Sequence, residues 1–159
     1  MISLQEVFSG NPFADHPQLR TIWPAEFAVI AEEAAVESLE EAKHGDIGGL
    51  FLVAKDDQII GITGYFYCED IDEPFLRWHG IIPAERGNGY SGIALRQVVD
   101  RIKDKLPAAR GLTELVPQNG AGPEIEKHFV SLGFTRNGVQ EKYDWSPYAW
   151  QPIRLDLTT

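Results

Sequence analysis

The stretch best suited to chemistry is Ile81-Ile82-Pro83-Ala84-Glu85-Arg86-Gly87-Asn88-Gly89-Tyr90-Ser91-Gly92, where glycines crowd behind a single arginine. Glycines let successive backbone N–H groups point into one concavity. A helix beginning at Tyr90 would add about half a positive charge at its N-terminus, and Arg86 supplies a guanidinium, so the stretch reads as a cradle for phosphate oxygens. A plain tight turn would use the same residues. Two nucleotide-binding alternatives do not fit: no Gly-Lys-Ser/Thr follows, as a P-loop requires, and the glycine spacing is not that of a dinucleotide fold.

Metal chemistry finds little support. The four histidines, His16, His44, His79 and His128, lie scattered without ligand spacing, and the single cysteine, Cys68, rules out an internal disulfide and reads as a small buried hydrophobe. The net charge of −10 repels a phosphate backbone, which argues against general nucleic-acid binding. That charge is uneven. Between Ala84 and Arg110 six basic residues (Arg86, Arg96, Arg101, Lys103, Lys105, Arg110) stand against three acids, so one segment suits a polyanion, although solvated helix charges explain it equally well.

The elements that must position the cradle follow from periodicity. Phe75 to Ile82 reads as a strand ended by Pro83; from Tyr90 to Leu106, Ala94, Val98 and Ile102 recur every four residues, and Pro107 closes that helix. Before them, Met1 to Phe8 reads as an opening strand. Pro24 and Gly45 bracket a helix of about 20 residues, with Phe27, Ile30, Ala34 and Ala31 as its buried stripe. Leu50 to Ala54 and Gln58 to Cys68 make a hairpin turning at Lys55-Asp56-Asp57, and Glu69 to Glu73 a solvated loop. Gly111 to Val116 is a further strand. A short helix from Gly122 to Leu132 follows, ended by Gly133, and Phe134 to Tyr143 and Pro152 to Leu157 supply the last strands around the aromatic loop Trp145 to Trp150.

The expectation is an α/β (α+β) fold in which helices flank one mixed, mainly antiparallel sheet, formed by residues 1–159 as one domain. No apolar run approaches the roughly 20 residues of a membrane span, and Met1 to Gly10 lacks a secretory pattern, so a cytoplasmic protein is expected.

With these elements in place, the chain resembles the GNAT (GCN5-related N-acetyltransferase) family. Its signature of Arg/Gln, two residues, Gly, one residue, Gly/Ala is met by Arg86, Gly89 and, with a departure, Ser91. Ile81-Ile82-Pro83 is similar to the strand end before it, and Phe129-Val130-Ser131-Leu132-Gly133-Phe134 to a second signature in which a tyrosine stands at the place of Phe129. The likeness covers roughly Gln58 to Phe134.

The resemblance implies an acyltransferase with acetyl-CoA as co-substrate and no metal. Backbone groups of Arg86, Gly87, Asn88, Gly89, Tyr90 and Ser91 would take the pyrophosphate, and the strand His79, Gly80, Ile81 the pantetheine. Asn119 either contacts the pantetheine or forms a turn beside Gly120. Phe129 occupies the place of the tyrosine that protonates the departing thiolate, which leaves water or another tyrosine for that role.

An attacking amine must be neutral, so a base is needed near pH 7. Glu114, five residues before Asn119, resembles the glutamate of family members that acetylate protein N-termini; a solvent-facing strand glutamate is the plain alternative. His79 is the second candidate, or else a satisfied strand histidine. Tyr143 and Tyr90 are candidate acids that would otherwise pack, and Trp145, Tyr148 and Trp150 candidate walls of the acceptor pocket. The acceptor expected is an amine, on a small molecule, an amino acid or a peptide N-terminus, with no nucleic acid and no membrane as partner; homodimerisation stays open. The other reading is a CoA-binding regulatory or structural protein without turnover, motivated by Phe129 and Ser91.

Overall fold

The computed structural model describes residues 1–42 and 48–158. Gly45, expected to end the first long helix, and His44 lie outside them.

Strands run mostly antiparallel and are flanked by helices, the class expected. The chain groups into two compact units, residues 1–67 with 76–107, and residues 68–75 with 108–159.

In the first unit β1 (Ile2–Glu6) pairs antiparallel with β2 (Gly48–Lys55), which pairs antiparallel with β3 (Gln58–Cys68). The β2–β3 hairpin turns at Asp56, whose φ of 53° is the left-handed conformation that Asp tolerates in a tight polar turn. β4 (Glu73–Ile81) lies beside β3, and a short 3-10 turn, Pro83–Glu85, leads to α3 (Tyr90–Lys105). Ala94, Val98 and Ile102 are each fully buried, as the four-residue recurrence predicts.

Two short elements escaped the sequence reading: α1 (Pro12–Asp15), capped by the Asn11 side chain, and a 3-10 turn at Pro17–Thr21. Their apolar residues Phe13 and Leu19 are completely buried. Isolated apolar residues in elements of four and five residues carry no period to detect.

The stripe of α2 (Ala25–Ala42) also needs correction: Ala28, Ala35 and Leu39 are buried, Ala31 and Ala34 pack partly, and Ile30 is 43% exposed. The buried stripe is built mainly of alanines, whose short side chains mark the inward face less clearly than the larger Phe27 and Ile30 do. The small side chains let the helix backbone lie close to the core of Leu50, Val53, Ile60 and Ile62.

In the second unit β8 (Ala149–Asp156) is the central strand, paired antiparallel with β5 (Gly111–Pro117), with β6 (Thr135–Arg136) and with β7 (Glu141–Lys142). Phe134 to Tyr143, expected as one strand, is thus two short bridges with positive-φ Gly138 between them. β4 begins at Glu73 instead of Phe75, so the acidic loop stops a residue short of expectation. Arg154 donates to both Glu73 carboxylate oxygens, at 3.1 and 2.5 Å, and draws that residue into the strand. Phe75 pairs with Thr113 in parallel. α4 (Gly122–Ser131) packs Phe129 edge-on to Phe134, ring centroids 5.2 Å apart, and Leu112, Val116 and Ile153 of the same unit are completely buried.

Candidate functional site

The backbone of β4 is locally inverted at Trp78, whose φ is +54°. A bulky residue there costs on the order of 1–3 kcal/mol, and such strain gathers at functional sites. Leu76 and Trp78 are buried in alternation, the next buried residue is Ile81, and His79 and Gly80 are both half-buried, so the side-chain alternation slips by one. Trp78 is closely packed: a Cβ on Gly64 would come within 2.9 Å of its ring, and the Arg77 guanidinium lies 4.5 Å from its centroid. No spacing in the sequence announces this twist.

His79 sits just past it. Its Nδ1 is 2.8 Å from Thr63 Oγ1, and its Nε2 is 3.0 Å from Ser91 Oγ and 3.1 Å from the Ser91 carbonyl oxygen. Both ring nitrogens are therefore engaged. Thr63 is fully buried in β3, and a hydroxyl within an apolar strand was the one sequence signal that could have found it.

Beyond Ile81 the chain makes the expected glycine turn. Gly87 and Gly89 have φ of +86° and +77°, and a Cβ added at either would meet nothing within 4 Å. The turn is left-handed and open to an approaching ligand. Gly89 caps α3, no side chain caps that terminus, and no acid lies in the first turn. The orphan N–H groups of a 16-residue helix thus face an opening with their partial positive charge uncompensated by a local carboxylate.

Arg86 holds this turn as well as charging it: Nε donates to the carbonyl of Ile81 at 3.0 Å and Nη2 to that of Ile22 at 2.8 Å. A guanidinium has five N–H groups, so two such bonds leave donors for an anion. Asn88 Nδ2 donates to the Glu85 carbonyl at 3.2 Å. Tyr90 opens α3 and packs, as its plain reading held, with Lys55 Nζ 5.5 Å from its ring centroid. Lys55 also reaches Glu85 at 3.3 Å, and this hydrogen bond, then the one with Tyr90, raises its pKa. Gly80 is required for a different reason: a Cβ there would stand 2.4 Å from Ile22 Cγ2. Thr63, Ile22, Lys55 and Trp78 were all missed from sequence.

In the second unit, Glu114 lies half-buried on β5, its Oε1 accepting from the Leu115 amide at 2.8 Å. Asn119 follows the strand, and its Oδ1 accepts from the Ala121 amide at 3.0 Å, which is the turn-forming geometry. It also lines a cleft of about 500 Å³ with Pro117, Pro123, Lys127 and Arg136. Phe129 is 6% exposed. Tyr143 stacks on Trp145, centroids 5.4 Å apart and planes 10° apart, and Trp145 continues to Trp150 and Tyr148. Burial, then the Glu141 charge, raises the Tyr143 pKa, which keeps its phenol protonated. Ser146 organises the loop by accepting from Trp150 Nε1 at 2.9 Å and donating to the Tyr148 carbonyl at 2.9 Å. Among the described residues no cluster of His, Cys, Asp or Glu could hold a metal ion, and no helix is long and apolar enough to cross a membrane.

A mostly antiparallel sheet flanked by helices, with a glycine turn leading into a helix whose N-terminus no side chain caps, defines a class of mixed α/β proteins. Within it, this chain has the fold of the GNAT acetyltransferases. A protein from Desulfovibrio desulfuricans assigned to that family superposes with a TM-score of 0.76 at 16% identity, covering 98% of this chain and 99% of its own. A chimera of the Vibrio cholerae spermidine N-acetyltransferase SpeG and hSSAT gives 0.71 at 13% identity over 98% and 94%. An acetyltransferase from Thermus thermophilus gives 0.67 at 18% identity over 99% and 97%. No protein-family model and no curated protein sequence matches the chain.

Proposed function

We propose that this chain, acting as a single module, transfers an acetyl group from acetyl-CoA to a primary amine. The observation that carries the reading is the N-terminus of α3: uncapped, without an acid in its first turn, and preceded by two open positive-φ glycines. A pyrophosphate supplies what that terminus lacks, an acceptor for its N–H groups and a negative charge at the positive end of the helix. Gly87, Gly89 and Ser91 would hold it through backbone amides, with Arg86 alongside. The co-substrate supplies the activated acyl group; the chain's own residues bind it and manage the proton of the amine.

Glu114 is the group to accept that proton, directly or through one water, and Tyr143, kept protonated by burial, is a group able to donate one. The named substrates of the similar structures include spermidine, a polyamine, which agrees with an amine acceptor. The net charge of −10 favours a cationic or neutral acceptor over an anionic one and disfavours nucleic-acid partners.

The test is thiol release from acetyl-CoA with a panel of amines, beside the thermal shift that CoA alone produces. Binding with turnover supports the reading. Binding without turnover on any amine supports a CoA-binding protein instead, and no binding removes both.

A further inference from the structure

His79, Thr63 and Ser91 join two strands to the first turn of a helix, and their hydrogen-bond chemistry fixes more than their distances do. The Ser91 carbonyl oxygen can only accept, so at 3.1 Å from Nε2 the hydrogen between them belongs to the imidazole. Ser91 Oγ, 3.0 Å from the same nitrogen, shares that hydrogen. In the neutral ring Nδ1 is then a lone pair, and Thr63 Oγ1 at 2.8 Å must donate to it. The tautomer is thereby specified by a backbone carbonyl on one side and a fully buried hydroxyl on the other. A ring whose proton and lone pair are both committed is poorly placed to take a proton from a substrate. It is well placed to hold an element still.

The element held is the one that matters to the reading above. Ser91 lies two residues after Gly89, where the backbone is left-handed and open, and no side chain caps the helix. An uncapped terminus frays unless something secures it. Here the hydroxyl of Ser91 and its carbonyl are both tied to β4. A glycine or alanine at this position would offer His79 the carbonyl alone.

We infer that His79 is the positioning residue of the anion-binding turn: as the Nε2–H tautomer set by Thr63, it fixes Ser91 and with it the backbone amides that open α3. This rests on the reading of that turn as the CoA pyrophosphate site, but the positioning itself is measurable without CoA.

Three measurements decide it. The ring nitrogen NMR signals of His79 in the unliganded protein should show Nε2 protonated and Nδ1 bare, and the opposite tautomer overturns the inference. In His79→Leu, amide exchange should accelerate at Gly89 to Gly92 well beyond the change elsewhere. Ile102→Ala, a core change in the same helix, serves as the control, because it lowers stability without touching the turn. Uniform acceleration in both variants means that His79 is only core and sinks the idea.

In turnover, His79→Leu should raise the KM for acetyl-CoA about tenfold with kcat within about twofold, and His79→Gln, which keeps a donor towards Ser91, should recover most of the loss. A kcat loss of 100-fold or more at unchanged KM would make His79 the base and overturn the positioning role. A parent that binds no CoA removes the reading of the turn, while the tautomer and the exchange pattern still decide whether His79 holds it.

Discussion

The guanidinium of Arg86 donates at 2.8 Å to the carbonyl oxygen of Ile22, 64 residues earlier in the chain, so the residue expected to clamp an anion also ties the glycine turn to the segment before α2. With the bond to Ile81, the two planar donors act as a fork. Arg86→Lys keeps the charge and loses the fork. The substitution is expected to cost about 1–3 kcal/mol in urea unfolding and to weaken CoA binding nearly as much as Arg86→Ala. A lysine variant that binds CoA like the parent would show that charge alone is what the site uses.

Gly89 has φ of +77° with nothing within 4 Å of an added Cβ, so a substitution there is opposed by backbone strain and not by collision. Gly89→Val should lose about 1–3 kcal/mol and abolish the thermal shift given by acetyl-CoA, whereas Gly89→Asn, at ease in the left-handed region, should keep most of both. Equal behaviour of the two variants would show that steric access, and not conformation, governs the turn.

What the sequence made legible was whatever repeats or turns. The β2–β3 hairpin, the four-residue rhythm of α3 and the glycine turn stand where the pattern put them, because period and φ preference are local properties. The Trp78 inversion, the burial of Phe13 and Leu19, and the grip of Arg86 on Ile22 were not legible, since each depends on a neighbour distant in sequence. Ser91 is instructive in this respect. It departs from the motif, and its hydroxyl is the partner of a half-buried histidine.

Gly111 shows the same dependence in the second unit. A Cβ there would fall 2.3 Å from the Arg154 guanidinium, which is held by Glu73. Gly111→Ala must push the arginine off its partner and leave a partly buried carboxylate short of its hydrogen bonds, a loss of about 1–3 kcal/mol. Removing the obstacle should reduce the cost, so the penalty for Gly111→Ala is expected to be smaller in an Arg154→Ala background. Strict additivity in that double-mutant cycle would place the strain elsewhere.

Glu32 provides a pH signature of its own. Hydrogen bonds from Arg20 at 2.7 and 3.0 Å, and then from Asn11, lower its pKa from 4.5 to about 2. A folded pKa below the unfolded one means that the stabilisation is present above about 4.5 and disappears as pH falls to about 2. Arg20 is 45% exposed, so solvent screens the pair and the effect is modest. The melting temperature of the parent should exceed that of Glu32→Gln near neutrality and converge with it towards about pH 2. A constant difference across that range would mean that the carboxylate's charge is not what stabilises.

The most consequential prediction concerns Glu114. Its carboxylate accepts from the Leu115 amide at 2.8 Å through Oε1, which orients the group along β5. An alkylamine is mostly protonated at neutral pH, so a nearby carboxylate assists most where the amine cannot shed its proton unaided. Glu114→Gln should therefore slow acetyl transfer by roughly 100-fold to 10,000-fold near neutrality, with acetyl-CoA affinity nearly unchanged. The deficit should shrink as pH rises towards the pKa of the amine, because the uncharged nucleophile then forms without help. A deficit that stays constant across pH would assign Glu114 to holding the acceptor. A rate within a few-fold of the parent would remove it from the chemistry altogether.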